Sequence, residues 1–181
     1  MNSVSILILS LLLVACASID PILPVSDGFH DVLPDEKARL VVWGNHPGAV
    51  DTARTWLLKR GYRVVERAKL DQILQEQNIT FTQTAKDHAR LLQVGKLLGA
   101  QQVIFLETHL SKQQGEDTDK NSTGERGNNY VLYNLVVSLR GIDSESGKIQ
   151  WSGTAYYPGG INNPHEGMNH LTRSALAKAW G

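Results

Sequence analysis

The sequence predicts an α/β fold, a mixed sheet with helices packed on it, in the order β-α-β-α-α-β-β-β-α. Three observations predict it. Short β-rich apolar runs at 39–43, 62–65 and 102–110 alternate with segments whose apolar residues recur at helical period. Segments 130–142 and 148–156 alternate in the strand manner across the turn residues Asp143-Ser144-Glu145-Ser146-Gly147, which reads as an antiparallel hairpin. A last helical period covers 165–180. At 181 residues, the chain suits one domain with a sizeable core.

Each element has a local reason. Leu40-Val41-Val42-Trp43 is an apolar run of buried-strand length. Asn45 is expected to cap the next helix, with Pro47 in its first turn. Val50, Ala53 and Leu57 share a face of that helix, which runs to about Arg60 and stops at Gly61. Residues 62–65 form the second strand. Over 69–77, Leu70, Ile73 and Leu74 stand at i, i+3 and i+4. A longer helix over 84–98 is expected to bury Ala85, His88 or Leu91, Leu92, Gly95 and Leu98, and Gly99 closes it. After the strand at 102–110, residues 112–129 are polar throughout and read as a loop. Pro158-Gly159-Gly160 ends the hairpin. The final helix then aligns Met168, Leu171, Ala175 and Ala179 on one face.

Composition excludes several function classes. Eighteen basic and eighteen acidic residues leave a formal net charge of zero, whereas a nucleic-acid binder carries a basic excess or stripe. No nucleic-acid partner is expected. The chain has no G-x-S-x-G elbow, no G-x-G-x-x-G and no phosphate-cradling G-x-x-x-x-G-K-[ST] loop. No enzyme is expected.

The N-terminus carries an address. Residues 6–14 are mostly Ile, Leu and Val. That run is shorter than the about 20 residues a spanning helix needs, and it has the length of a signal peptide's apolar core. Directly after it, Leu13-Val14-Ala15-Cys16 resembles the lipobox of bacterial lipoprotein precursors. The resemblance implies cleavage before Cys16, a lipid on its sulfur and acylation (palmitate) of the new amino group. Ala17, where the inner-membrane retention pattern has Asp, implies the outer membrane, with the domain facing the periplasm. The expected organisation is a signal peptide over 1–15, lipidated Cys16 and a Pro-punctuated tether over 16–37, and one domain over 38–181. Cys16 is the only cysteine, so no thiol remains for a disulfide or thiolate metal site. The covalent lipid is the only bound group expected.

Further along, residue strings carry a second resemblance. Residues 62–77, from Tyr62-Arg63-Val64-Val65-Glu66-Arg67 through Leu70-Asp71-Gln72-Ile73-Leu74, form a strand-then-helix signature. Val94-Gly95-Lys96-Leu97-Leu98-Gly99-Ala100 leads into Gln102-Val103-Ile104. Leu139-Arg140-Gly141-Ile142-Asp143 and Gly147-Lys148-Ile149-Gln150-Trp151-Ser152 flank the hairpin turn. In order and spacing these strings resemble the CsgG-like family of bacterial outer-membrane lipoproteins, which includes curli-assembly and LpoB-related members. The likeness covers about residues 38–157. It implies an α/β periplasmic domain and an accessory or export role in the envelope.

The remaining constellations point to recognition. Asp117, Asp119, Asn121, Thr123 and Glu125 follow the alternate spacing of a calcium loop. Ser122 stands where that loop needs glycine and Asn128 where it needs a bidentate Glu, so a solvated loop is expected and no metal. His165 and His170 are five apart, not the four a zinc-protease helix requires. Lys112, Glu116, Asp117, Asp119, Lys120, Glu125 and Arg126 form a candidate partner-docking loop. Membrane strands need about 9–11 alternating residues, and the slot at 112–129 lacks that alternation. The expected function is a non-enzymatic docking or accessory component of an envelope assembly (secretion, flagellar or peptidoglycan-synthesis machinery). The alternative is a subunit of an oligomeric curli-type export channel. Homo-oligomerisation is left open by both.

Overall fold

The computed structural model describes residues 23–79, 85–116 and 129–181. Its elements are β1 (Val25–His30), β2 (Arg39–Gly44), α1 (Pro47–Leu58), β3 (Arg63–Val64), α2 (Arg67–Glu76), α3 (Ala85–Leu97), β4 (Gln102–Glu116), β5 (Asn129–Asp143), β6 (Ile149–Tyr156) and α4 (Pro164–Trp180). One mixed sheet takes the strand order β1-β6-β5-β4-β2-β3. β3 and β4 flank β2 in parallel, and β4, β5, β6 and β1 follow one another antiparallel. The α/β reading holds, with one strand added in front.

β2 explains the layering. Its side chains alternate, so Leu40 and Val42 enter one core and Val41 the other. A strand buried on both faces has to be apolar without interruption. The larger core lies under α1 and α4. It gathers Trp56 and Leu57 from α1, Ile104 and Leu106 from β4, and Leu135, Val137 and Leu139 from β5. Trp151 comes from β6, and Leu171, Ala175 and Leu176 from α4. The smaller core lies under α2 and α3 and joins Leu70, Leu74, Leu91, Val94, Val103 and Phe105.

Close approach sets the larger core's geometry. A Cβ on Gly153 would stand 2.1 Å from the Ala175 carbonyl oxygen, so only glycine lets α4 lie this near β6. Beneath Gly141 lies the Trp151 ring, whose Nε1 donates to Gln102 Oε1 at 2.9 Å in full burial. Trp180 packs edge-on against Trp151 and Trp56, with centroids 4.4 and 5.2 Å apart.

Three expectations are corrected. Val25–His30, expected within the 16–37 tether, is an edge strand paired with β6 from Val25↔Tyr156 to His30↔Trp151. The ordered domain therefore starts upstream of residue 38. Its small residues face α4, and Gly28 lies with its virtual Cβ 3.1 Å from Ala179 N. Residues 112–116 and 129, expected in a loop, continue the β4–β5 ladder out to Glu116↔Asn129. Backbone bonds between the two strands sustain that ladder where side chains are polar. Third, the cap of α1 is His46, whose side chain accepts from Ala49 N, because Pro47 takes the first helical position.

Candidate functional site

The helices cover the two faces of the sheet unequally. α1 and α4 roof one face across β2, β4, β5 and β6. On the other, α2 and α3 pack over β2, β4 and only the end of β5 at Ile142. Where that roof ends, a groove of about 270 Å³ opens between Trp43, Asn45, His88, Glu107, Thr108, His109, Val136 and Ser138.

Strand alternation and one helix build this groove. Phe105 is the last β4 residue of the smaller core, and Glu107 and His109 continue its face into the open. α3 lays His88 edge-on against Phe105, with centroids 4.3 Å apart, while Trp43 meets Phe105 from the β2 side at 6.3 Å. Glu107 is shared by two partners: Arg140 Nη2 stands 2.9 Å from one carboxylate oxygen and His88 Nε2 3.9 Å from the other. Ser138 Oγ lies 3.1 Å from Thr154 Oγ1 on the neighbouring strand, so its hydroxyl is turned to β6.

Asn45 closes one end of the groove. Its Nδ2 donates to Thr108 O at 2.8 Å, and its Oδ1 accepts from Thr108 N at 2.9 Å and Thr108 Oγ1 at 3.0 Å. The carboxamide thus acts as one more residue of β2, which ends at Gly44. Past that point no strand flanks β4 on its β2 side among the described residues. An aromatic wall, a carboxylate already paired with guanidinium, and amide and hydroxyl groups make a surface suited to recognition.

The predicted site residues are distributed differently. Cys16 lies outside the described residues, as do Asp117, Asp119, Lys120, Glu125 and Arg126, and with them the calcium-like spacing. Lys112 is exposed on β4, and Glu116 is that strand's last residue. Among the described residues no three His, Cys, Asp or Glu side chains converge on a metal position. No helix among them is long and apolar enough to cross a membrane, which says nothing of β-barrels. His165 and His170 serve separate partners: His165 stands 6.4 Å from His46, and His170 Nδ1 is 2.6 Å from Tyr157 Oη. Burial first, and the nearby Glu166 carboxylate second, raise the Tyr157 hydroxyl above its ordinary pKa.

Sequence reasoning missed the groove. Its signal was present as polar residues at every second position: Glu107, His109 and Ser111 on β4, Ser138 and Arg140 on β5, Ser152 and Thr154 on β6. Period-two polarity on adjacent strands marks a sheet face that no helix covers.

Comparisons with known proteins complete the description. The chain is similar in structure to the PelC dodecamer from Paraburkholderia phytofirmans, at 14% identity and a TM-score of 0.53, covering 87% of this chain and 97% of that one. It is similar to lipoprotein GNA1162 from Neisseria meningitidis, at 21% identity and a TM-score of 0.50, covering 77% and 95%. The LpoB C-terminal domain from Salmonella enterica aligns at 16% identity and a TM-score of 0.47, covering 70% and 86%. At such identities the likeness concerns the fold. No curated protein matches the sequence. The family model for the curli production assembly/transport component CsgG matches residues 55–154, from within α1 to within β6. With more than half of its length matched, the chain belongs to the CsgG family.

Proposed function

We propose that the protein is a non-enzymatic lipoprotein, anchored to the outer membrane through lipid on Cys16. Its domain docks onto an envelope assembly from the periplasmic side. The observation that carries this reading is CsgG-family membership in a chain whose sole cysteine ends a stretch that resembles a lipobox. A tether of this kind confines the domain near one surface and raises its effective concentration toward a partner there. The half-covered sheet face, with Trp43, Glu107 and Arg140 at its groove, supplies the recognition surface. The partner class is secretion, flagellar or peptidoglycan-synthesis machinery. In-cell crosslinking from a photoreactive residue at His109, followed by mass identification, is the test. Crosslinks to an envelope machine support docking, and crosslinks only to lipid or to nothing refute it. Cys16→Ala is expected to release the folded protein from the membrane fraction. Its retention there would sink the anchor.

A second reading has an observation of its own. β4 and β5 are paired over 15 residues each and run well past the helices, and one structural neighbour is a dodecamer. Both favour a homo-oligomeric ring, and the family's name extends that to an export channel. Against a membrane-piercing hairpin stands Ser111-Lys112-Gln113-Gln114 on β4, polar at every position. The mass of the detergent-extracted particle and its conductance in a planar bilayer separate the two. A ring without conductance keeps the accessory role, and steady single-channel currents replace it.

A further inference from the structure

Apolar exposure is concentrated at one edge of this molecule. Nine large apolar side chains are exposed among the described residues, and six of them (Leu23, Val25, Phe29, Val32, Ile149 and Tyr156) belong to β1, its flanks and β6. Val25 pairs directly with Tyr156 in the ladder, and Phe29 with Ser152. Those pairs lie on the open face, because the residues between them, Gly28 and Gly153, face α4. Leu23 is 70% exposed and Phe29 52%. Burial among the described residues therefore does not explain their side chains.

Chain length says what lies beside this edge. Cys16 and Leu23 are seven residues apart, a stretch that spans at most about 25 Å in any conformation. An anchored Cys16 keeps Leu23, two residues before β1, within that radius of the lipid headgroups. Attraction of charge does not bring it there, since Asp27, Asp31, Asp35 and Glu36 make this segment acidic. Half-exposed side chains of this size offer on the order of 100 Å² each. Six of them fall short of the about 800 Å² per partner typical of a stable protein interface. A weak apolar contact made permanent by a nearby anchor suits a bilayer surface, with Phe29 and Tyr156 at headgroup depth.

We infer that the β1 edge, through Val25, Phe29, Val32 and Tyr156, rests on the bilayer surface and fixes the orientation of the domain. The inference rests on the Cys16 anchor proposed above. The test uses the full chain, expressed with its leader, extracted and reconstituted into phosphatidylethanolamine–phosphatidylglycerol vesicles. A fluorophore is attached at Phe29→Cys, or at Val25→Cys should the first variant fold poorly, and at Leu58→Cys on α1 as a distant site. Headgroup-doxyl lipid is expected to quench emission at 29 or 25 and to leave 58 unchanged. Equal quenching at both sites, or none in vesicle-bound protein, overturns the contact while leaving the anchor intact. Protein that does not stay with vesicles removes the anchor and the contact together. Shielding of the probe at 29 in detergent, rising with protein concentration and unaffected by lipid, assigns the edge to a second copy and overturns the inference.

Discussion

The two faces of the sheet share strands and differ in everything those strands support. Under α1 and α4 the side chains are Trp151, Leu139, Leu135, Leu171 and Leu176, none more than 1% exposed. On the opposite face the same strands carry Ser138, Arg140, Ser152 and Thr154. One face holds the larger core, and the other holds a smaller core under α2 and α3 and is open beyond it. A protein with two equally sealed faces would offer only its loops and edges to a partner. Here the part of the sheet beyond the α2–α3 roof is uncovered among the described residues.

Substitutions one residue apart should sharpen that contrast most. Gly153 has no unusual backbone angle, and its requirement is space alone. Gly153→Val drives a branched side chain into the α4 backbone. The expected loss is about 3 kcal/mol or more, at the upper end for overpacked cores. Its neighbour Thr154 points to the open face, and Thr154→Val, which removes the bond to Ser138, should cost no more than about 1 kcal/mol. Denaturant unfolding followed by circular dichroism measures both. Similar losses at the two positions would mean that the open face is covered after all.

A smaller effect tests how the roofed face tolerates polarity. Gln102 is 2% exposed and accepts the Trp151 indole N–H. Gln102→Leu keeps the volume and strands that donor in a buried site. The expected cost is about 1–3 kcal/mol, the desolvation penalty of one unsatisfied group. Restoration of stability by Trp151→Phe in the same chain would show that the stranded N–H is the cause.

The same contrast explains what could be read from the sequence. β2 was legible because both its faces are buried, so Leu40-Val41-Val42-Trp43 announces a strand by composition alone. β1 was not, because its pattern is inverted: Val25 and Phe29 face outward and Ser26 and Gly28 face the helix. Close backbone packing selects small residues there, and the usual apolar-in rule misleads. α4 was found within one residue of its start, since its buried face repeats cleanly through Met168, Leu171, Ala175 and Ala179. The groove was hidden for another reason. His88, Glu107 and Arg140 come from three elements, and only the topology brings them together. Asn45 fits a helix cap by residue type, while the fold places it on the open flank of β4.

Asn45 therefore tests where the sheet stops. Asn45→Ala removes three hydrogen bonds to Thr108, all solvent-accessible and partly replaceable by water. A loss of about 1 kcal/mol is expected, with faster hydrogen exchange of the Thr108 amide and little change at Leu106. Unchanged exchange at Thr108 would mean that the carboxamide does not close the flank.

The weakest effect expected lies at the β5–β6 turn, where the partial roof is pinned. Asp143 Oδ1 accepts from Ser146 Oγ at 2.6 Å and Ser146 N at 2.7 Å. The Ser146 side-chain bond, then its backbone bond, hold the Asp143 carboxyl below its ordinary pKa, and Lys96 adds a smaller push in the same direction. Lys96 also reaches this turn from α3, donating to Glu145 O at 3.2 Å and standing 3.6 Å from its carboxylate. A carboxyl whose pKa is lowered on folding contributes stability that is present above its unfolded pKa, about 3.9. That contribution disappears as pH falls through the folded value. Stability should thus decline on the acid side, below about pH 4, and not between neutral and mildly alkaline pH. Asp143→Asn should cost less than about 1 kcal/mol at neutral pH and flatten this part of the acid limb. Denaturation midpoints of the two proteins across pH make the comparison. Parallel curves would show that the acid sensitivity arises elsewhere.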